Sequence, residues 1–241
     1  MNCVILAAGT STRLRPLTDS TPKCLLEVNG ISILERMLTS LSALPIQRYT
    51  IVVGFCGEKI HDFVRDKFEH LPVTFIENSE YESTNNAYSL LLAQDAVMDD
   101  DLLLLDSDIL FDKRILPLLL TSVHLNALAV RTQGTFGKEE IKVQCHPTSG
   151  RILKIGKDIS IPSAFGESIG IEKFQAQAAQ KLFSILHKRI VLENKVNEFY
   201  EASFQEMIEN GSQLYAVNVG SFQCMEIDTG EDLNEAKKIF P

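Results

Sequence analysis

The sequence predicts an α/β chain: a doubly wound, Rossmann-like, mainly parallel sheet with helices on both faces and a small inserted β subregion. Three observations predict it. Short, continuous apolar runs recur along the first half and end in glycine or acids. Segments with apolar residues three and four apart lie between them. Beyond about residue 140 this alternation gives way to a hairpin and a closing set of strands and helices. Runs that are apolar at every position suit strands buried on both faces, and parallel strands need crossovers, which helices supply.

The elements follow in order. "CVILAA" (3–8) is a buried strand stopped by Gly9. "SILERMLTSLSAL" (32–44) carries Ile33, Met37, Leu41 and Leu44 on one helical face, with Ser32 as N-cap and Glu35 three residues later as a capping box. "YTIVVGF" (49–55) is a strand, "EKIHDFVRDKF" (58–68) a helix, "VTFIEN" (73–78) a strand, "NNAYSLLLAQ" (85–94) a helix and "DLLLLDSD" (101–108) a strand ending in acids. "KRILPLLLTSV" (113–123) is a broken helix with Pro117 near its first turn, and "NALAVRT" (126–132) a strand. After these come a hairpin (141–146 and 151–157), a strand entering a helix (165–174), helices at about 173–189 and 197–210, strands at 214–219 and 224–228, and a last helix at 230–239. No proline-rich or low-complexity linker divides the chain, so one domain over residues 1–241 is expected.

Charge narrows the function. The 241 residues carry 23 Lys+Arg against 32 Asp+Glu, a formal net charge of −9. That balance argues against broad electrostatic binding to nucleic acid or to an anionic membrane. Five scattered cysteines show no CxxC spacing, which predicts neither a zinc site nor a redox motif and suits a reducing cytoplasm. The N-terminus has no basic n-region and no apolar run is long enough to span a bilayer, so neither a signal peptide nor a membrane span is expected.

Against this acidic background "LAAGTSTRLRPLTDSTPKCLL" (6–26) places Arg13, Arg15 and Lys23 after a buried strand, with one acid, Asp19. Ala7, Ala8 and Gly9 let backbone approach a ligand, Gly9 permits a positive φ, and backbone N–H groups in such a turn can cradle phosphate oxygens. At 4 Å a charge pair is worth about 1 kcal/mol in water and about 4 kcal/mol at a surface-like dielectric. Distant surface charge is screened beyond about 8–10 Å, so a local cationic cluster outweighs the net charge. The spacing is neither GxGxxG nor GxxxxGK[ST]. In such sheets ligands bind at the carboxyl ends of strands, where both Gly9 and Asp106–Asp108 fall.

The stretch resembles the opening motif of the nucleotidyltransferase superfamily that activates sugar phosphates and phosphocholine: Leu6–Gly9, then Arg13, Leu14, Pro16, Leu17, Thr18, and Pro22–Lys23. One position departs, Ser11, where the family usually has glycine. "STNNAYSL" (83–90) resembles the base-reading segment of the phosphocholine cytidylyltransferase branch. "LLLDSDILF" (103–111) resembles the strand-end metal motif, and "EIDTGEDL" (226–233) the C-terminal motif with a second metal aspartate. "DSD", where sugar-1-phosphate enzymes more often have Gly-Asp, leans toward the choline-type or aminoethylphosphonate cytidylyltransferases.

The resemblance implies a nucleotide-binding part at about 1–135 and an acceptor-binding part at about 136–225. It implies transfer of CMP from CTP to a small phospho-amino-alcohol or aminophosphonate, with release of pyrophosphate and dependence on Mg²⁺. Arg13 and Lys23 would be the catalytic cations. Leu6, Ala7, Ala8, Gly9, Thr10, Ser11, Arg13, Lys23, Thr84, Asn85, Asn86 and Asp106 would bind nucleotide, and Asp108 and Asp228 the metal. "NEFYEASF" (197–204) matches the branch's acceptor region, giving Phe199, Tyr200 and Glu201; "FGESIGI" (165–171) adds Glu167; and Lys154 and Lys157 either meet the acceptor's phosphate or are surface lysines on a hairpin. UTP stays open beside CTP, and so do a sugar 1-phosphate acceptor and a catalytically silent nucleotide-binding regulator. Family members assemble as oligomers, which leaves a homo-oligomer open.

Overall fold

The computed structural model describes residues 1–97, 99–134, 136–137 and 139–241. Its strands are β1 (Asn2–Ala7), β2 (Glu27–Val28), β3 (Ile31–Ser32), β4 (Arg48–Val53), β5 (Val73–Glu77), β6 (Leu102–Asp106), β7 (Ile109–Phe111), β8 (Ala127–Arg131), β9 (Lys142–Cys145), β10 (Ile152–Gly156), β11 (Gly166–Phe174), β12 (Tyr215–Asn218) and β13 (Cys224–Glu226). Its α-helices are α1 (Ile33–Ser42), α2 (Gly57–Phe68), α3 (Asn86–Leu92), α4 (Gln94–Val97), α5 (Ile115–Leu120), α6 (Ala176–His187), α7 (Glu201–Glu209) and α8 (Gly230–Ile239).

The apolar runs form the centre of a sheet in the order β10-β9-β11-β6-β1-β4-β5, and β6, β1, β4 and β5 are mutually parallel. Side chains alternate across it as the period of two requires. Cys3, Ile5 and Ala7 of β1 face α1, α2 and α5 in one core cluster. Val4 and Leu6 face α3, α6 and α7 in another. Helices therefore cover both faces, which is why the strands read as unbroken apolar runs.

Half of the sheet departs from simple parallel winding. β11 runs antiparallel between β6 and β8, its first residues pair β9, and β8 is extended by the parallel β12. A register shift between Ser168 and Glu172 lets one strand serve three neighbours. Gly170 sits in that shift at φ +67°, and a Cβ there would lie 2.7 Å from Asp106 Oδ2. The bulge thus packs backbone directly against an acid at the end of β6.

Three local expectations shift. Ser32 caps α1 by accepting from the Glu35 N–H, but the Glu35 carboxylate accepts from Lys67 of α2 instead of closing a capping box, because a full charge outcompetes a backbone donor. α6 begins at Ala176 because β11 continues to Phe174, and α7 begins at Glu201, not at 197. Among the described residues no helix is long and apolar enough to cross a membrane.

Gly170→Ala is expected to cost about 1–3 kcal/mol, from positive-φ strain and overpacking against Asp106. Urea unfolding measures it, and an unchanged midpoint would show that the bulge tolerates a side chain.

Candidate active site

The carboxyl rim of β1 and β6 is one wall of a cleft of about 310 Å³. Parallel register sets Leu6 beside Asp106, so the loop after β1 and the turn after β6 emerge together. Arg13 and Lys23 each sit in a short 3₁₀ turn next to a buried anchor, Leu14 and Cys24. Leu14 belongs to a third apolar cluster with Leu26, Val28, Leu110, Ile227 and Leu233, which ties the loop to α8 and to a small ribbon.

That ribbon brings the acids together. β7 and β13 pair antiparallel with Glu226 opposite Ile109, and the Ile227 N–H donates to the Asp108 carbonyl at 3.1 Å. Thr229 caps α8, and the Asp232 carboxylate accepts from the N–H groups of both Asp228 and Thr229 at 3.0 and 2.7 Å. Asp228 is thereby fixed just before the helix and beside Asp108. The Lys23 ammonium donates to Asp108 Oδ2 and to Asp228 Oδ1, each at 2.7 Å, and Arg13 donates to Asp228 Oδ2 at 2.6 Å.

Electrostatics follow from this geometry. Burial works against the Lys23 charge, but Asp108 and Asp228 more than offset it and hold its pKa above the ordinary lysine value. Burial likewise opposes ionised Asp228, yet Lys23 and Arg13 keep it below the usual carboxylate range. Glu226, two residues earlier at the end of β13, is pushed up by burial and by Asp108 and Asp228. Oxygens of Asp108, Glu226 and Asp228 lie within 4.8 Å of one another, and Asp108 Oδ1 is buried without a hydrogen-bond partner. Three convergent carboxylates with an orphaned oxygen fit a hard divalent cation.

Leu6, Ala7, Ala8, Gly9, Ser11, Arg13, Lys23, Thr84, Asn85, Asn86, Asp106, Asp108 and Asp228 share the wall of this cleft; Thr10 is not part of it. The left-handed residue in the loop is Ser11, at φ 50° and ψ 50°, rather than Gly9. Its carbonyl accepts from Thr18 Oγ1 at 2.8 Å and from the Leu14 N–H at 3.1 Å, which holds the turn in that conformation. Asn85 caps α3, its Oδ1 accepting from the Asn86 N–H, and Asn86 Oδ1 accepts from the Tyr200 N–H at 3.0 Å.

A second cleft, of about 420 Å³, shares Arg13, Asn86, Asp106, Asp108 and Asp228 with the first and extends past Lys157, Glu167 and Glu201. Tyr200 does not face either cleft. It is 0% exposed, and its hydroxyl donates to Asp106 Oδ2 at 2.6 Å. The segment before α7 turns it inward and leaves Phe199, 44% exposed, on the wall shared by both clefts. Glu167 is paired with Arg131, whose Nε lies 3.0 Å away, and Lys154 turns to Asp158. Burial pushes Glu201 up to about 7, partly opposed by its own backbone N–H and by Lys157.

Sequence reasoning left out Glu226, although a strand over 224–228, as expected, would put it on one face with Asp228; the strand ends at Glu226, and the two carboxylates converge beyond it. It also left out Asn78, which donates to Thr84 Oγ1 and Ser89 Oγ at 3.1 and 3.0 Å and so shapes the wall behind α3. A lone asparagine at a strand end carries no such signal.

The mixed sheet, the cationic loop at its carboxyl rim and the facing carboxylates define a nucleotidyltransferase. Residues 3–167 match the MobA-like NTP transferase domain, and the chain belongs to that family. Over 240 residues it is 26% identical to the choline-phosphate cytidylyltransferase of Streptococcus pneumoniae, covering 99% of this chain and 98% of that protein. It is 28% identical over 194 residues to the 2-aminoethylphosphonate cytidylyltransferase of Lancefieldella rimae, covering 77% and 72%. The inositol-1-phosphate CTP transferase from T. maritima superposes with a TM-score of 0.82 at 22% identity, over 98% of this chain and 94% of that one.

Ser11→Gly should raise stability by about 0.5–1 kcal/mol, because glycine adopts the left-handed turn without Cβ strain. A lower thermal midpoint would mean that the serine hydroxyl matters more than the strain. For Glu201 the sign is set by a folded-state pKa near 7 against an unfolded value of about 4.3. The folded state holds the extra proton, so its contribution is complete below about pH 4.3 and is lost as pH rises to about 7. Relative to Glu201→Gln, the wild type should lose stability across that window and run parallel above it. Parallel curves throughout would place Glu201 in water.

Proposed function

We propose that the chain is a Mg²⁺-dependent cytidylyltransferase that moves CMP from CTP to a small acceptor carrying an amino group and a phosphate or phosphonate. The observation that carries this reading is the Lys23 ammonium, 2.7 Å from both Asp108 and Asp228 at the strand rim, with Arg13 alongside. Relatives that are cytidylyltransferases of choline phosphate and 2-aminoethylphosphonate support the same reaction.

In this reading the chain acts as one domain. The turn at residues 8–11 cradles the phosphates. Asn85 and Asn86 face the base. Asn86 Oδ1 is already committed to the Tyr200 N–H, which leaves its amide nitrogen as donor. A donor suits the N3 and O2 acceptors of cytosine, whereas uracil carries a proton on N3. An acceptor oxygen forms the new bond to the α-phosphorus, the bond from that phosphorus to the bridging oxygen breaks, and pyrophosphate leaves. The nucleophile is already ionised, so no general base is required.

Lys23 lowers the repulsion between the incoming oxyanion and the α-phosphate, and Arg13 holds the departing phosphates. Such positioning and charge neutralisation is the main task in a reaction between anions. Asp108, Glu226 and Asp228 would hold Mg²⁺, which when bound supplies further charge neutralisation at the triphosphate. Glu201, Glu167, Lys157 and Phe199 would line the acceptor's place. The five cysteines are free, which suits a reducing compartment and supports a cytoplasmic enzyme.

Pyrophosphate release tests the reading, with the four nucleoside triphosphates paired in turn with phosphocholine, 2-aminoethylphosphonate and hexose 1-phosphates. Release is expected with CTP and an amino acceptor. Lys23→Met and Asp108→Asn should each lower kcat by on the order of 10²–10³. Release confined to a hexose 1-phosphate, or near-normal rates in either variant, would refute it.

A further inference from the structure

The second cleft is strongly acidic, and its carboxylates are not all satisfied. Glu201 is 8% exposed, lines this cleft, and keeps a buried Oε2 with no hydrogen-bond partner. A buried carboxylate oxygen without a donor is costly unless a ligand supplies one. Phe199 is the single aromatic among the described residues that line this cleft. Its neighbour Tyr200 is spent on Asp106.

One cation already reaches this wall. Lys157 follows β10, and its ammonium lies 4.7 Å from the centroid of the Phe199 ring and 3.2 Å from Glu139 Oε2. The Glu139 side chain is exposed, so that ion pair is weak and easily released. Chemically, the end of a lysine is a tethered primary alkylammonium.

Taking the acceptor reading above as the premise, we infer that the second cleft is built for a primary ammonium rather than a quaternary one, and that Lys157 holds its place over Phe199 until the acceptor arrives. A primary ammonium brings three N–H donors, one of which satisfies Glu201. A quaternary ammonium has none, and it is recognised by a cage of several aromatic faces, where this cleft offers one. The acceptor class is therefore an aminoalkyl phosphate or phosphonate with an unmodified amino group. Because Lys157 is tethered, it competes at every acceptor concentration and raises the apparent KM for the amine.

The test compares 2-aminoethylphosphonate with its N-trimethyl derivative, which differ only at nitrogen, as acceptors for pyrophosphate release from CTP and Mg²⁺. Wild-type protein should prefer the primary amine in kcat/KM by on the order of tenfold or more. Glu201→Gln should erase most of that preference. Lys157→Ala should lower KM for the primary amine about two- to fivefold, the scale of one exposed cation–aromatic contact. Thermal melting confirms that each variant is folded, and the wild-type comparison stands without them. Equal or better use of the trimethyl compound would overturn the inference while leaving the acceptor reading intact. A KM that rises in Lys157→Ala would also overturn it, because the lysine would then be serving the acceptor's anion. Release with neither ammonium compound would overturn the acceptor reading and this inference with it.

Discussion

The site depends on one buried ammonium. Lys23 stands between Asp108 and Asp228, and without it these two carboxylates and Glu226 would face one another at short range with Arg13 as the only other cation bonded to them among the described residues. Like charges this close repel, and Glu226 is already pushed up by burial and by these two neighbours. The lysine, with Arg13, therefore keeps Asp228 ionised in a place where burial alone would favour its protonated form. The same charge makes the rim attractive to a polyphosphate.

Holding such a cluster takes rigid support. Each charged side chain has an apolar neighbour in the core: Leu14 beside Arg13, Cys24 beside Lys23, Ile109 beside Asp108, Ile227 beside Asp228. The β7–β13 ribbon and the cap of α8 then fix the two aspartates relative to each other across more than a hundred residues of sequence. A chain of net charge −9 can hold an anion here because the relevant cations are within contact distance and the remaining acids are screened.

Much of this was legible in the sequence for a physical reason. Short unbroken apolar runs suit strands covered on both faces, and the parallel strands β6, β1 and β4 inside the sheet are those runs, with β5 at its edge. The spacing of Arg13 and Lys23 after a buried strand marked the rim, and the acids of "DSD" and "EID" marked the facing side. What escaped depends on the third dimension. The placement of β11 between β6 and β8 follows from a bulge at Gly170, which periodicity does not reveal. Tyr200 and Phe199 are adjacent and equally aromatic in sequence, and only the start of α7 at Glu201 decides that one is buried and the other exposed. The loop's strained residue was sought at a glycine because glycine adopts positive φ at least cost, yet two hydrogen bonds to the Ser11 carbonyl hold a serine there.

Carboxylates line both clefts along one continuous wall, but their excess over cations is greater in the second. At the first, Arg13 and Lys23 meet the loop after β1; at the second, carboxylates outnumber cations around Phe199. A ligand that is anionic at one end and cationic at the other would lie along this gradient in only one direction, with its phosphate toward Lys23 and its amine toward Glu201. That orientation comes from charge placement before any close contact forms, and electrostatic complementarity of this kind sets register and suppresses the reversed mode. A neutral sugar attached to a phosphate would feel only half of the gradient. The acid-rich second cleft would then leave its buried carboxylates unsatisfied, a cost paid with every such substrate bound.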